Sequence, residues 1–267
     1  MTLDFIRSLA EEAGEMAMQS RKTLSSKAIE FKSDKDIVTE VDKAVETFIV
    51  GELAKAFPEH ATYGEEFGKS AKAAKAEYCW IIDPIDGTTS FVHGQPFYSV
   101  SIALHRKGVP VLAAVCAPRL GETFCAQKGM GAFVNGERLQ VSKRDKLISS
   151  VLSTGFACLR SDLEENNLAA FTRIVPKLRG VRRYGSAAID MAFVAAGRLE
   201  GFWEMNLKIY DIAAGELLVT EAGGRVCDFN GGSDYPKAGT LATNGLIDSE
   251  LLPLLSKGKP GRAQVND

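Results

Sequence analysis

No charge of one sign dominates this sequence, and cysteine and histidine are scarce in it. The 267 residues include 32 lysines and arginines against 34 aspartates and glutamates, which gives a net charge of −2. This balance, without a basic stripe interleaved with aromatic residues, argues against a nucleic-acid-binding surface. The five cysteines are widely spaced and include no CxxC pair. We therefore expect reduced, mostly buried thiols in a cytoplasmic protein.

Long apolar runs are also missing. The first 19 residues carry acidic residues early and lack a continuous apolar core, so we expect no signal peptide and no membrane span. The three histidines, His60, His93 and His105, have no partner at metal-ligand spacing, which argues against zinc. The sequence has no glycine-rich nucleotide loop and no serine elbow, so covalent or nucleotide-dependent chemistry is not indicated.

Helix and strand patterns fill the chain. Apolar residues recur at helical spacing over 2–25 and 39–57, and a run of strands with turn signals follows from 78 to 142. Beyond about residue 145, strands and helices alternate. The pattern predicts an α+β fold, with helices layered on a mainly antiparallel first sheet and a mixed second sheet. We expect two tightly packed halves, residues 1–147 and 148–267, that form one compact unit.

The stretch WIIDPIDGTTSF (80–91) begins as a buried strand and ends in two carboxylates, Asp83 and Asp86. Asp-Pro and Asp-Gly are also ordinary turn chemistry, in which both acids would face solvent. Against that interpretation, Gly87 permits a close backbone approach, and Thr88 stands at an apparent helix start, where an anion such as phosphate is favoured. Two close carboxylates repel each other unless a cation neutralises them, and such hard oxygen ligands suit Mg²⁺.

Three other acidic stretches have sufficient structural explanations when each is taken alone. Glu65 and Glu66 in YGEEFG are compatible with a solvated loop. Asp211 precedes a clean helical pattern and is compatible with an ordinary N-cap. Asp42 lies at a capping-box-like distance from Thr39. None of these alone predicts a functional site.

Taken together, the segments resemble the inositol monophosphatase family of Mg²⁺-dependent, lithium-sensitive phosphatases. DPIDGTTSF is similar to the family's first signature. YDIAAGELLVTEAGG is similar to the second, which usually begins Trp-Asp where this chain has Tyr210-Asp211. GEE at 64–66 and DIVTEVD at 36–42 follow the family order, and the resemblance extends from about residue 5 to residue 255. It implies a layered α-β-α-β-α sandwich, as in inositol monophosphatase and fructose-1,6-bisphosphatase, and a homodimer.

The resemblance also implies a role for each matching residue. The expected metal ligands are the carboxylates of Glu65, Asp83, Asp86 and Asp211 and the backbone carbonyl of Ile85. The expected catalytic residues are Thr88 and Asp42, which would orient and activate the attacking water, and Glu66, which would support a further metal through bound water. The expected substrate contacts are Gly87, Thr88, Gly185, Ser186, Ala187, Glu204 and Asp211. The implied cofactor is Mg²⁺, more than one ion per site, with Mn²⁺ as a substitute.

The implied reaction is hydrolysis of a phosphate monoester by metal-activated water, with a small phosphorylated polyol, myo-inositol monophosphate, as substrate. Glu204 would accept hydrogen bonds from ring hydroxyls and disfavour a second phosphate nearby. Two alternatives stay open. One is the same chemistry on histidinol phosphate, fructose 1,6-bisphosphate or phosphoadenosine phosphate. The other is a regulatory binding protein on the same scaffold. No nucleic-acid or membrane partner is expected.

Overall fold

Helices and strands alternate along the computed structural model, which describes residues 2–22, 29–33, 36–73, 76–161 and 163–256. The helices are α1 (Leu3–Arg21), α2 (Glu40–Ala56), α3 (Thr88–Val92), α4 (Ala157–Arg160), α5 (Leu168–Ile174), α6 (Ala187–Ala195), α7 (Ile209–Glu221) and α8 (Asp248–Ser256). The strands are β1 (Ile29–Ser33), β2 (Asp36–Thr39), β3 (Ala61–Gly64), β4 (Gly68–Lys69), β5 (Tyr78–Asp86), β6 (Ser99–Arg106), β7 (Val109–Ala117), β8 (Glu122–Gln127), β9 (Gly131–Val134), β10 (Glu137–Arg138), β11 (Val151–Thr154), β12 (Gly180–Arg182), β13 (Gly201–Glu204), β14 (Arg225–Cys227) and β15 (Thr240–Thr243).

The helical spacing at the N-terminus forms α1 as expected. Ile6, Leu9 and Ala13 are buried on one face, and the hydroxyl of Thr2 accepts a hydrogen bond from the backbone N–H of Phe5. Such a cap satisfies one of the free N–H groups at a helix start. The predicted continuation of this helix over 23–25 lies outside the described residues.

The first large sheet has eight strands in the order β10-β9-β8-β7-β6-β5-β3-β4. Every neighbouring pair in it is antiparallel except β3 and β5. The second sheet has five strands in the order β12-β11-β13-β15-β14 and is mixed, because β11 runs parallel to both its neighbours. This confirms the predicted sheet types.

Three hydrophobic clusters show how these elements are layered. One joins α1 and α2 to one face of the eight-stranded sheet. A second lies between the two sheets and contains almost the whole of α6 together with the apolar residues of α7. A third joins α5 and α8 to the outer face of the five-stranded sheet. The order is α-β-α-β-α, which confirms the expected fold.

The short elements differ from the sequence-based expectation. The sequence pattern over 162–175 predicts one helix, whereas the structure forms a shorter helix, α5, over 168–174, after the separate turn of α4. Glu65 and Glu66, compatible from the sequence with a solvated loop, lie in the turn of the small β3–β4 hairpin. The two-residue strand β4 carries too few side chains to show a period, so no sequence pattern marks it.

Composition-based expectations can be compared with the described residues. All five cysteines are free, and four are buried. None of the helices that the structure describes is long and apolar enough to cross a bilayer. The division into two halves at residues 147/148 stays a prediction. The hydrophobic cluster between the two sheets contains side chains from both halves.

Candidate metal and substrate site

The end of β5 turns two carboxylates toward the same side. Against β6, Asp83 stands opposite Ser101 and Asp86 opposite Ser99, so the register shifts between them. Three steps along β5 match two along β6, which is a β-bulge. In a regular strand, side chains three positions apart point to opposite faces, and the extra residue removes that difference. Asp83 is 1% exposed and Asp86 8%.

A third carboxylate arrives from a distant part of the chain. Asp211 lies in the first turn of α7, where its Oδ2 accepts a hydrogen bond from the backbone N–H of Lys208 at 2.5 Å. Carboxylate oxygens of Asp83, Asp86 and Asp211 lie within 4.8 Å of one another. The expected N-cap position of Asp211 is wrong, because α7 begins at Ile209 with Lys208 as its N-cap and Asp211 is the third residue of the helix. Its carboxylate caps the helix start from inside the first turn and also belongs to this cluster.

Burial and mutual repulsion raise the pKa values of the three aspartates in this cluster. Burial raises the pKa of Asp83 well above its usual value, and the charges of Glu65, Asp86 and Asp211 raise it further. Burial also raises the pKa of Asp86, to about 6, although hydrogen bonds from Ser186 and Ala188 oppose the shift. Burial and the Asp86 charge raise the pKa of Asp211. A divalent cation would remove this repulsion, and the all-oxygen donor set fits Mg²⁺.

Asp86 also connects the two sheets through the start of α6. Its Oδ2 accepts hydrogen bonds from the Ser186 hydroxyl and from the backbone N–H of Ala188, both at 2.7 Å. The Ser186 hydroxyl also lies 3.1 Å from that of Ser99 on β6. One oxygen of Asp86 is thus fixed by a helix N-terminus, which favours a negative charge.

Glu65 and Glu66 lie in the turn of the β3–β4 hairpin, and a buried acid on α2 holds that turn. The two oxygens of Glu46 accept hydrogen bonds from the backbone N–H groups of Glu66 at 2.8 Å and Phe67 at 3.1 Å. Glu46 is fully buried, and burial raises its pKa. A β carbon at Gly64 would collide with the Glu46 carboxylate, so only glycine permits this approach.

Thr88 links the end of β5 to α2. It begins the short helix α3 directly after Gly87, whose φ of 95° is left-handed. The Thr88 hydroxyl lies 3.3 Å from Oδ1 of Asp42 and 3.1 Å from the carbonyl of Ile85. Asp42 is 1% exposed. A hydroxyl held by a buried carboxylate can still accept a hydrogen bond from a molecule in front of it.

These groups border one cavity of about 520 Å³. Of the residues singled out from the sequence, Glu65, Asp83, Ile85, Asp86, Gly87, Thr88, Gly185 and Asp211 line it. Asp42, Glu66, Ser186, Ala187 and Glu204 are not among its lining residues. The volume falls within the range of small-molecule sites.

Comparison with known proteins identifies the family of this chain. The model of the inositol monophosphatase family matches residues 2–259. The chain belongs to the inositol monophosphatase family. It is 40% identical over 252 residues to an inositol-1-monophosphatase of Mesorhizobium japonicum, covering 94% of this chain and 91% of that protein. An inositol monophosphatase structure from Anabaena superposes with a TM-score of 0.85 at 36% identity, covering 95% of this chain and 94% of the other.

Another relative of the family carries a different name. The Nus factor SuhB of Pseudomonas aeruginosa is 45% identical over 235 residues, which covers 87% of each chain. The family resemblance drawn from the signatures is thus confirmed over the whole matched length. Because the relatives carry two different functional names, we infer the activity of this chain from its own site.

Glu204 does not line the cavity. It is 6% exposed, and its Oε1 accepts a hydrogen bond from the backbone N–H of Ala157 at 2.8 Å. Burial raises its pKa to about 7, while that hydrogen bond and the charges of Arg160 and Arg183 lower it. Its expected contact with ring hydroxyls stays a prediction.

Sequence reasoning missed two groups of residues at this family site. Glu46 is the first. It lies four residues after Asp42, on the apolar face of α2, and an acid at such a position was the sequence signal that could have found it. The other group consists of the cations along the cavity wall, Arg160, Arg183 and Lys208. No local pattern marks them, because they come from three separate segments.

Proposed function

We propose that this chain hydrolyses a phosphate monoester in the cavity, with Mg²⁺ as cofactor and myo-inositol monophosphate as substrate. The observation that carries the proposal is the set of three aspartate carboxylates within 4.8 Å of one another beside Gly87 and Thr88. The name of the Mesorhizobium relative, inositol-1-monophosphatase, supports the choice of inositol monophosphate.

The metal would be held by the four carboxylates Glu65, Asp83, Asp86 and Asp211 and by the carbonyl of Ile85. Bound there, Mg²⁺ supplies charge compensation for phosphoryl oxygens and makes a water molecule more acidic. We extend the same proposal to more than one ion per site, to Mn²⁺ as a substitute and to inhibition by Li⁺. A homodimer in the cytoplasm is the form in which we expect the chain to act.

Thr88 and Asp42 have the proton-handling role in this proposal. The Thr88 hydroxyl donates toward Asp42, so its oxygen presents a lone pair to the cavity. A water that donates to this oxygen is oriented with its own lone pair free for attack. Asp42, which is buried against Thr88, can then take the proton through the Thr88 hydroxyl. The backbone at Gly87 and Thr88 would hold the phosphate, and Glu66 would support a further metal through bound water.

Phosphate release from a substrate panel tests the proposal. We expect turnover of inositol monophosphate with Mg²⁺ and inhibition by Li⁺. Asp86→Asn should lower kcat by about 10²–10³-fold, because it removes charge at the centre of the cluster. Asp145→Asn, a matched change at an exposed aspartate, should keep wild-type kcat. Near-normal turnover of a folded Asp86→Asn variant at saturating Mg²⁺ would refute the assignment.

The same panel separates the alternatives. A preference above tenfold for histidinol phosphate, fructose 1,6-bisphosphate or phosphoadenosine phosphate would keep the chemistry and change the substrate. The name of the Pseudomonas relative, a Nus factor, favours the second candidate, a regulatory binding protein on this scaffold. That candidate is supported if no phosphate ester is turned over although Mg²⁺ binds.

A further inference from the structure

The short helix α3 carries Thr88, the residue that orients the attacking water in the proposed reaction. The helix has five residues and begins directly after Gly87, and no side chain in the described part of the chain caps its start. A helix this short has little stability of its own, so its position depends on contacts with the rest of the protein. Because Thr88 is its first residue, any shift of the helix also moves the Thr88 hydroxyl.

Arg21, the last residue of α1, holds the other end of α3. Its Nε donates a hydrogen bond to the carbonyl of Phe91 at 2.6 Å, and its Nη2 donates one to the carbonyl of Val92 at 2.8 Å. Both carbonyls lie in the last turn of α3, where helix carbonyls lack partners within the helix. A guanidinium group presents its N–H donors in a rigid fork, so one side chain fixes both carbonyls.

The contact between Arg21 and α3 is closely packed. The turn that ends the helix lies against the guanidinium, since a β carbon on Gly94 would stand 3.2 Å from Nη2 of Arg21. Phe91 is fully buried, and its ring packs edge-on against Tyr98 with the ring centroids 5.1 Å apart. The apolar face of α1 is itself buried against the eight-stranded sheet. Arg21 therefore connects α3 to a helix that is packed into the core.

The tether and the water-orienting hydroxyl lie close together along α3. Phe91 follows Thr88 by three positions, which is about 4.5 Å along a helix axis. At the start of α3, the Thr88 hydroxyl lies 3.3 Å from Oδ1 of Asp42 on α2. This distance is already long for a hydrogen bond between two oxygen atoms, so a small further displacement of α3 would remove it.

We propose that Arg21 is a positioning residue for the hydrolysis. By fixing the last turn of α3, it keeps the Thr88 hydroxyl within reach of Asp42 and of the attacking water. The role rests on the proposed function and adds to it a residue that is not among those lining the cavity. The alternative is a purely structural role, because a basic side chain in the last turn of α1 also interacts favourably with the dipole of that helix.

A double-mutant cycle with Thr88 separates the two roles. Arg21→Met keeps the long apolar stem and removes both donors. We expect it to lower kcat for inositol monophosphate by about 10–100-fold, because misplacing a catalytic group by about 1 Å has an effect of that order. In the Thr88→Val background, the same substitution should change kcat by less than about twofold, since no hydroxyl remains to be positioned. A purely structural role predicts equal losses in both backgrounds.

Hydrogen exchange of the metal-free protein gives a readout that does not depend on turnover. The backbone N–H groups of Phe91 and His93 donate hydrogen bonds to the carbonyls of Gly87 and Thr89. Arg21→Met should speed amide exchange over residues 88–95 by about tenfold, while exchange in the eight-stranded sheet stays as in the wild type. Unchanged exchange over 88–95 would show that Arg21 does not hold α3, and would refute the proposal.

Lys22 provides the control, as the adjacent exposed cation at the same end of α1. Lys22→Met removes the same charge and should keep kcat within about twofold of the wild type. If Arg21→Met does not fold, Arg21→Lys replaces it in the cycle, because lysine keeps the charge and lacks the fork of donors.

The outcomes distinguish this role from the proposed function itself. If the wild type releases phosphate and the losses in the cycle are fully additive, the positioning role is refuted and the phosphatase assignment stands. Wild-type kcat in a folded Arg21→Met variant has the same meaning. If the wild type releases no phosphate from any ester, the proposed function is refuted, and the role of Arg21 falls with it.

Discussion

At the scale of single residues, the contact between Thr88 and Asp42 is the one most open to test. A 3.3 Å hydrogen bond joins them across 46 positions of the chain. Thr88→Val keeps the shape and removes the hydroxyl. We expect kcat to fall by about 10²–10⁴-fold, the usual contribution of positioned proton transfer. Steady-state phosphate release measures it.

Thr88→Ser is the matched control, because serine keeps the hydroxyl and should retain activity within about tenfold. Asp42→Asn should lower kcat by a similar factor to Thr88→Val. The double variant should be little worse than either single one, since residues that act as a unit are not additive. Fully additive losses would show that the two residues act separately.

At the scale of elements, the β3–β4 turn depends on Glu46 of α2. Glu46→Gln keeps the shape but leaves one oxygen to accept from two backbone N–H groups. The turn that carries Glu65 should then be held less firmly. We expect the Mg²⁺ concentration for half-maximal activity to rise roughly tenfold, as for other partners that orient metal ligands. A Mg²⁺ titration of phosphate release measures this change.

Glu40→Gln, at the exposed start of the same helix, is the control and should leave the Mg²⁺ requirement as it is. The half-maximal Mg²⁺ concentration distinguishes a role of Glu46 in positioning the Glu65 turn from a role in stability alone. If Glu46→Gln lowers the melting temperature while the half-maximal Mg²⁺ concentration stays constant, Glu46 has only a structural role.

Local elements explain how much of this site the sequence could predict. Asp83 and Asp86 were predictable because a strand end and its turn lie within one short segment. Asp211 was ambiguous alone, since its carboxylate also caps the start of α7 at the backbone N–H of Lys208. The cation wall was not predictable: Arg160 ends a four-residue helix, and Arg183 follows a three-residue strand. Only packing of the second sheet against the first brings them to the cavity.

At the scale of the whole molecule, the acid cluster opposes folding when no metal is bound. Asp86 accepts a hydrogen bond from Ser186, 100 positions later, so folding itself brings the charges together. Raised pKa values mean that the folded chain binds protons more tightly than the unfolded one. The associated stability is full below about pH 4, the unfolded value, and is lost as pH rises through about 6 for Asp86 and about 7 for Glu204.

We therefore expect the metal-free protein to melt at a lower temperature at pH 8 than at pH 5, and Mg²⁺ to restore more stability at pH 8. Binding at one hundred times Kd adds about 2.7 kcal/mol, which is roughly 5–10 °C for a chain of this size. Protons compete with the metal for the same carboxylates, so the shift at pH 5 should be small. Differential scanning calorimetry with EDTA or Mg²⁺ measures both values. Equal shifts at the two pH values, or an undiminished shift in Asp86→Asn, would show that Mg²⁺ binds elsewhere.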